Sequence, residues 1–481
     1  MKNDKKPALF KLPQVDLILN QATIEQLVKN ENVDRTVLAK LTREVLQDRR
    51  QFLQQSSNSN LNEEESTPES IANQVERKWR QLSKNRMNRV INATGVILNT
   101  NLGRAPLSKA IADEVTRLIT GYCNLEYDLN KGERSHRTKN VSRLIQILTG
   151  AQDALVVNNN AAAVMLAICA LAQGKEVIVS RSELIEIGGS FRLPDVIVAS
   201  GAVLKEVGTT NKTRLEDFSQ AISTDTACIL KCHQSNFKII GFTDETKAEE
   251  LSRLSREKNI PFIHDLGSGS LINIDQFGLE HEPTVQECIE EGADLVLFSG
   301  DKLLGGGQAG IIAGRKDLIE KLASHPIYRT LRLDKLNIAL LETVLLSYLK
   351  TDICDSMPAL KMAKDKVDEV KKRAEKFVQS ISKESKAKLK IEPISTNSTF
   401  GGGSLPGQTL ASHGLALTTT GDFGSSRLVK YLRQWKTPII ALVQKDQVIL
   451  DFRTILPEDE AELLSAINNF SCYSSGYNKQ D

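Results

Sequence analysis

From Asn92 to about Leu345, short apolar segments alternate with amphipathic helical patterns, and this alternation constrains the fold more than any other feature of the chain. The strand candidates are Ala154 to Val157, Glu176 to Val179, Val203 to Val207, Ala227 to Cys232, Pro261 to His264 and Leu295 to Phe298. Helical patterns separate many of them, notably Asn160 to Leu171 and Lys247 to Lys258. Strands spaced by helices predict an α/β domain on a mainly parallel sheet, with ligands at the carboxyl ends of the strands.

Composition shifts on either side of this region. Before about Asn88 the chain is polar, with apolar residues at helical spacing in Ile24 and Leu27 and again in Val37, Leu38, Leu41 and Val45. Ser56 to Glu65 is rich in Ser, Asn and Glu and is expected to be a mobile loop (56–66). Thr67-Pro68-Glu69 then restarts a helix, with Thr67 as N-cap and Pro68 at its first position. That helix carries Arg77, Lys78, Arg80, Lys84, Arg86 and Arg89, and residues 1–89 hold 16 basic and 12 acidic residues, a net +4. Charge alone reads this as a solvated face. From about Asp352 come a long charged helix (Lys361 to Ser380), strands such as Ile439 to Val443 and Val448 to Phe452, and a polar tail after Phe470 expected to fray. The predicted organisation is a helical N-terminal domain (1–88), a large α/β domain (89–345) and a small α+β domain (346–481).

The 40% hydrophobic and 25% charged content excludes a fibre, a collagen-like repeat and a wholly disordered chain. The net charge of +2 advertises no polyanion partner, although a basic patch can hide in a neutral total. No apolar run approaches the ~20 residues of a membrane span, and Met1 to Lys6 lead into no signal core. Seven scattered cysteines read as reduced thiols in a cytoplasm. Cys228, Cys232 and His233 cluster, but on a strand 228 and 232 share a face that 233 leaves, so buried thiols are expected and no metal site.

The sharpest chemical element runs from Asp294 to Gly310: an apolar strand ending at Ser299, then Lys302 on a short turn before a glycine-rich segment. A partly desolvated lysine at a strand end has the lowered pKa that a nucleophile needs, and pyridoxal phosphate enzymes use such a lysine to hold their cofactor. A lone turn lysine is more often a surface residue. Lys302 is not alone. The strand Pro261 to His264 ends in Asp265, a carboxylate suited to the cofactor's pyridine nitrogen. Ala154 to Val157 leads into Asn158-Asn159-Asn160-Ala161-Ala162 and a helix start, an anion site for the cofactor phosphate, to which Ser299 can add a hydroxyl. This order of phosphate turn, aspartate and lysine matches the aspartate-aminotransferase-like, fold-type-I pyridoxal phosphate enzymes.

Longer motifs are more specific. INATGVILNTNLGRAPL (91–107), GYCNLEYDLNKGERSHR (121–137) and SRSELIEIGGSFRLPDV (180–196) are followed by EVGTTNKT, SNFKIIGFT, HDLGSGSL, SGDKLLGGGQAGII, HPIYRTLRLDKL, GGGSLPG and LDFRTILPED. Over nearly its whole length the chain resembles the bacterial selenocysteine synthases, the L-seryl-tRNA(Sec) selenium transferases. It departs from their pattern at Asn99, where histidine is expected, and at Gly307, where proline is usual. The resemblance implies conversion of seryl-tRNA(Sec) to selenocysteinyl-tRNA(Sec) through a cofactor-bound aminoacrylyl intermediate, with selenophosphate as donor. It also implies Lys302 and Asp265 as catalytic residues, and Asn159, Asn160, Ala161 and Ser299 on the cofactor. Arg104, Arg329 and Arg332 match the family's phosphate-binding arginines. Arg134 and Arg137 are weighed evenly between that role and ion pairs. Arg453 reads as structural, and the N-terminal domain as the tRNA-binding part. At least a homodimer is expected, with a decamer implied. The alternative is a pyridoxal phosphate lyase for a small amino sugar or amino acid, which shares the large-domain motifs but has little need of the basic N-terminal section. A cofactor-free RNA-binding scaffold is disfavoured by Lys302, Asp265 and the asparagine-rich turn. His233, His264, His325, the Thr209-Thr210-Asn211 turn and Trp79 are weaker candidates, each with a commoner structural role.

Overall fold

The computed structural model describes residues 12–55, 66–84, 87–189, 191–420 and 424–477. Apart from Ser66, the loop expected at 56–66 lies outside the described residues. The chain forms two compact units, Met1–Arg89 and Val90–Asp481.

In the first unit the helices Val15–Leu19, Ala22–Glu31, Arg35–Gln55 and Pro68–Lys84 enclose Ile18, Ile24, Leu38, Leu46, Ile71 and Val75. Thr67 caps the fourth helix, accepting from the Ser70 N–H at 3.2 Å. Trp79 packs against this core and donates to Glu31 at 3.0 Å, so it anchors its helix. Two of the basic side chains are engaged within the unit, Lys78 with Glu44 (2.9 Å) and Arg80 with Glu76 (2.5 Å).

The second unit holds the expected sheet. Its strands run, in spatial order, Asp153–Val157, Gly310–Gly314, Leu295–Ser299, Phe262–Gly267, Thr226–Cys232, Glu176–Ser180 and Val203–Val207. All are parallel except Gly310–Gly314, which is antiparallel to both neighbours. Side chains alternate between two buried faces, which is why the strands read as continuous apolar runs. Ile263, Leu230, Leu295 and Leu297 face the apolar helix Asn160–Ala172. Phe262, Val296 and Ile229 face the opposite core, which includes Leu251, Leu254, Val285 and Cys288.

A second sheet of five strands has the order Ile91–Ala93, Ile439–Gln444, Gln447–Asp451, Leu410–Thr419 and Leu389–Ser398. Ile91–Ala93, placed by sequence with the large α/β region, pairs in parallel with Ile439–Ala441 instead. The long helix expected over Lys361 to Ser380 is two helices, Pro358–Lys364 and Val367–Ser380. Glu369 accepts the Lys366 N–H at 3.2 Å, starting the second helix, while the buried Arg453 guanidinium donates to the carbonyls of Met362 and Asp365 and closes the first. The last helix runs Glu460–Tyr477, beyond the Phe470 expected to begin a frayed tail, because Leu463, Ile467 and Phe470 seat it in the core. No helix among the described residues is long and apolar enough to cross a membrane.

Candidate active site

Two neighbouring strands of the main sheet deliver the central pair. Phe262–Gly267 carries Asp265, and Leu295–Ser299 leads through Gly300 and Asp301 to Lys302. Lys302 is only 8% exposed, and its Nζ donates to the Gly403 carbonyl at 3.4 Å. Gly267 and Gly403 have φ of +66° and +83°, the left-handed region that favours glycine. Each also leaves room that a side chain would fill: a Cβ at 403 would stand 3.0 Å from Lys302 Nζ, and one at 267 would stand 3.9 Å from it and 3.1 Å from Ser235 Oγ. The amine therefore lies in a notch framed by the glycine that ends the strand Phe262–Gly267 and another from the segment between the second sheet's long strands. Burial lowers the Lys302 pKa, and the Arg104 guanidinium lowers it further against the pull of Asp265 and Asp301.

Asp265 is buried, and its Oδ1 accepts from Asn160 Nδ2 at 2.7 Å and from the Gly267 N–H at 3.0 Å. Burial raises its pKa; the Asn160 hydrogen bond and the Lys302 charge oppose that rise. Asn159 caps the following helix, accepting from the Ala162 N–H at 2.8 Å, so Asn160 and Ala161 occupy its first turn. Gly310 pairs with Val157 on one side and Ser299 on the other. A Cβ there would lie 2.0 Å from the Asn159 carbonyl, so only glycine lets Ser299 and the helix start approach across this strand.

The arginines separate. Arg104, at φ +63°, pairs with Asp301 at 2.6 Å and so stands beside Lys302. Arg329 is exposed on the turn Pro326–Leu331, and Arg332 stacks on Tyr328 at 5.7 Å. This segment is fixed to the asparagine turn, because the Asn158 N–H donates to the Leu331 carbonyl at 3.0 Å. Arg134 and Arg137 share Glu126, at 3.2 and 2.5 Å, and Arg137 also donates to the Leu333 carbonyl. Both thus have intrachain partners here.

Several weaker candidates have structural places. Arg453 donates to three backbone carbonyls, His325 Nδ1 accepts from the Ile327 N–H, Thr209 Oγ1 donates to the Lys212 carbonyl across an exposed turn, and Asn211 Nδ2 donates to the Phe242 carbonyl. Asn99 caps a short turn through Asn101, and Leu340 occupies the space a side chain at Gly307 would need. Cys228 and Cys232 are buried and unbridged, and burial pushes the Cys228 thiol up to about 12. Sequence reasoning assigned no role to Ser235 or Gly403, although both lie in motifs it quoted. It missed Glu282 entirely. That buried carboxylate accepts from Ser268 Oγ at 2.5 Å and lies 3.1 Å from His233 Nε2, while the His233 N–H donates to the Asp265 carbonyl at 2.8 Å.

The profile of the family described as L-seryl-tRNA selenium transferase matches residues 90–456. The L-seryl-tRNA(Sec) selenium transferase of Alkaliphilus oremlandii is 42% identical over 458 residues, covering 95% of this chain and 97% of its own. That of Clostridium perfringens is 44% identical over 464 residues, covering 96% and 98%. Among solved structures, D-glucosaminate-6-phosphate ammonia-lyase superposes with a TM-score of 0.55 at 17% identity, over 83% of this chain and 99% of that one, a likeness of fold. With full-length relatives above 40% identity and a family profile spanning both sheets, this chain belongs to the L-seryl-tRNA(Sec) selenium transferase family.

Proposed function

We propose that this chain is a pyridoxal phosphate-dependent enzyme that converts seryl-tRNA(Sec) to selenocysteinyl-tRNA(Sec) with selenophosphate as donor. The observation that carries this reading is the buried Lys302 amine in its two-glycine notch, following the strand that pairs with the one carrying the anchored Asp265. The residues fit the cofactor. The lack of a side chain at Gly403, where a Cβ would crowd Nζ at 3.0 Å, leaves the amine open to the cofactor's aldehyde, and the N–H groups at the start of the helix Asn160–Ala172 suit its phosphate. Lys302 would hold the cofactor's aldehyde carbon, Asp265 its ring nitrogen, and Asn159, Asn160, Ala161 and Ser299 its phosphate. When bound, the cofactor supplies an electron sink for the carbon that loses a proton.

The chain's own groups supply the rest. The lowered pKa of Lys302 makes its neutral amine available as a base at Cα. Asp265, held by two donors, is oriented before substrate arrives. Arg104, Arg329 and Arg332 are the donor-binding cations, since guanidinium forks match a trianionic phosphate. Arg134 and Arg137 join them only by giving up Glu126. The N-terminal unit holds the tRNA. Assembly into at least a dimer is supported by exposed apolar side chains of the second unit, among them Tyr122, Leu129, Ile240 and Phe242.

The deciding assay compares seryl-tRNA(Sec) with free serine, each with selenophosphate. Selenocysteine should form on the tRNA, with an affinity for tRNA that falls as salt rises. Equal or better turnover of free serine would return weight to the small-molecule lyase. The arginine assignment has its own consequence. Arg329→Ala or Arg332→Ala removes charge-assisted hydrogen bonds of about 1.5–3 kcal/mol each, so donor affinity should fall by roughly one to two orders of magnitude. Loss of the serine hydroxyl, followed in a single turnover, should proceed as in the parent enzyme. A parallel fall in both steps would assign these arginines to tRNA or to a subunit interface instead.

A further inference from the structure

On the strand Phe262–Gly267, Asp265 faces the helix Asn160–Ala172, while the preceding residue His264 faces the opposite core beside Phe262. His264 is 3% exposed, and both of its ring nitrogens lack a hydrogen-bond partner among the described residues. A buried imidazole always carries at least one N–H, so an unpartnered ring costs free energy without some compensating ligand. Packed against it are the last turn and C-cap of the helix Val285–Glu290, which present Cys288 and Glu291 three residues apart on one face. A ring nitrogen of His264, Cys288 Sγ and a Glu291 carboxylate oxygen all lie within 4.8 Å of one another.

We propose that His264, Cys288 and Glu291 form a binding site for a divalent cation of the zinc class. The donor set decides the class: thiolate and imidazole select zinc over magnesium or calcium, and the single carboxylate completes three protein ligands with a fourth position open. That position has an approach, because His264 and Glu291 line a cavity of about 560 Å³ together with Glu245 and Glu249. Lys231, Lys238 and Lys247 line the same cavity; Lys231 lies 3.1 Å from the Glu183 carboxylate and Lys238 2.5 Å from that of Glu280, which offsets their repulsion. Zinc bonds of ~2.0–2.3 Å need ligand atoms roughly 3.3–3.8 Å apart, so the three side chains close by about an ångström on binding. Imidazole ligates through an unprotonated ring nitrogen, and the Cys288 proton leaves to water as the cation binds. Bound metal would clip the strand carrying Asp265 to the helix behind it, on the sheet face away from the cofactor. Spacing hid this site from sequence reasoning, since 23 residues separate His264 from Cys288.

The test uses the full-length protein after chelator treatment, loaded with Co²⁺ and then titrated with Zn²⁺. One cobalt per chain should give a thiolate-to-metal charge-transfer band and a tetrahedral ligand-field spectrum, both displaced by one equivalent of Zn²⁺. Cys288→Ser should abolish the charge-transfer band. Glu291→Gln, at a half-buried helix end where folding is little at risk, should weaken Zn²⁺ binding by about tenfold or more in competition with a chromophoric chelator. Absence of saturable binding in the parent protein overturns the proposal. So does a charge-transfer band that survives Cys288→Ser, which would place the metal on another cysteine.

Discussion

Lys302→Ala should yield a folded protein that no longer becomes covalently linked to pyridoxal phosphate on borohydride reduction and has lost turnover by at least about 10²–10⁴, the range for a removed acid–base group. The fold should survive because the amine makes one long hydrogen bond among the described residues, 3.4 Å to Gly403, while Asp265 keeps its bonds from Asn160 and the Gly267 N–H and Asp301 keeps its pairing with Arg104. Removing a buried cation of that kind costs little stability, so the melting temperature without cofactor should match or exceed the parent's. The pH dependence has a definite sign. Burial and the Arg104 charge lower the Lys302 pKa, so cofactor capture in the parent should rise with pH through a midpoint below the ordinary lysine value of 10.5. Mass spectrometry of the reduced parent protein checks the assignment directly. A cofactor-modified peptide other than the one containing Lys302 would show that a different lysine is the anchor.

Asp265→Asn should preserve the fold and lower turnover by roughly 10²–10³, as expected for loss of one preorganised electrostatic partner. Asparagine keeps an acceptor for the Asn160 amide and the Gly267 N–H but not the charge. Asp265→Ala removes both, leaving two donors in a buried site at a cost of about 1–3 kcal/mol, so it should also melt at a lower temperature. The pair of variants separates the two roles of the carboxylate. Near-parental turnover in Asp265→Asn would mean that its charge is not used. Equal melting temperatures for the two variants would mean that its hydrogen bonds do not hold the site.

These residues were legible in the sequence for a local reason. Asp265 and Lys302 each follow an apolar run that forms a strand, and Asn159 to Ala161 follow another and open a helix, so reading the strands also places the groups at their ends. Parallel pairing then needs only the alternation of strand and helix to bring those ends together. Tertiary structure decided everything that depends on which distant partner a group meets. Gly310–Gly314, absent from the strand candidates, fills the space between Asp153–Val157 and Leu295–Ser299, where a Cβ at Gly310 would strike the Asn159 backbone. Gly403 reaches Lys302 across 101 positions of sequence, and Arg453 finds the carbonyls of a broken helix about 90 residues earlier. His264, Cys288 and Glu291 converge only because strand alternation turns His264 away from Asp265 and helix packing brings the other two beneath it. Periodicity along the chain encodes which face a side chain takes; close packing between non-neighbouring segments determines what it touches there.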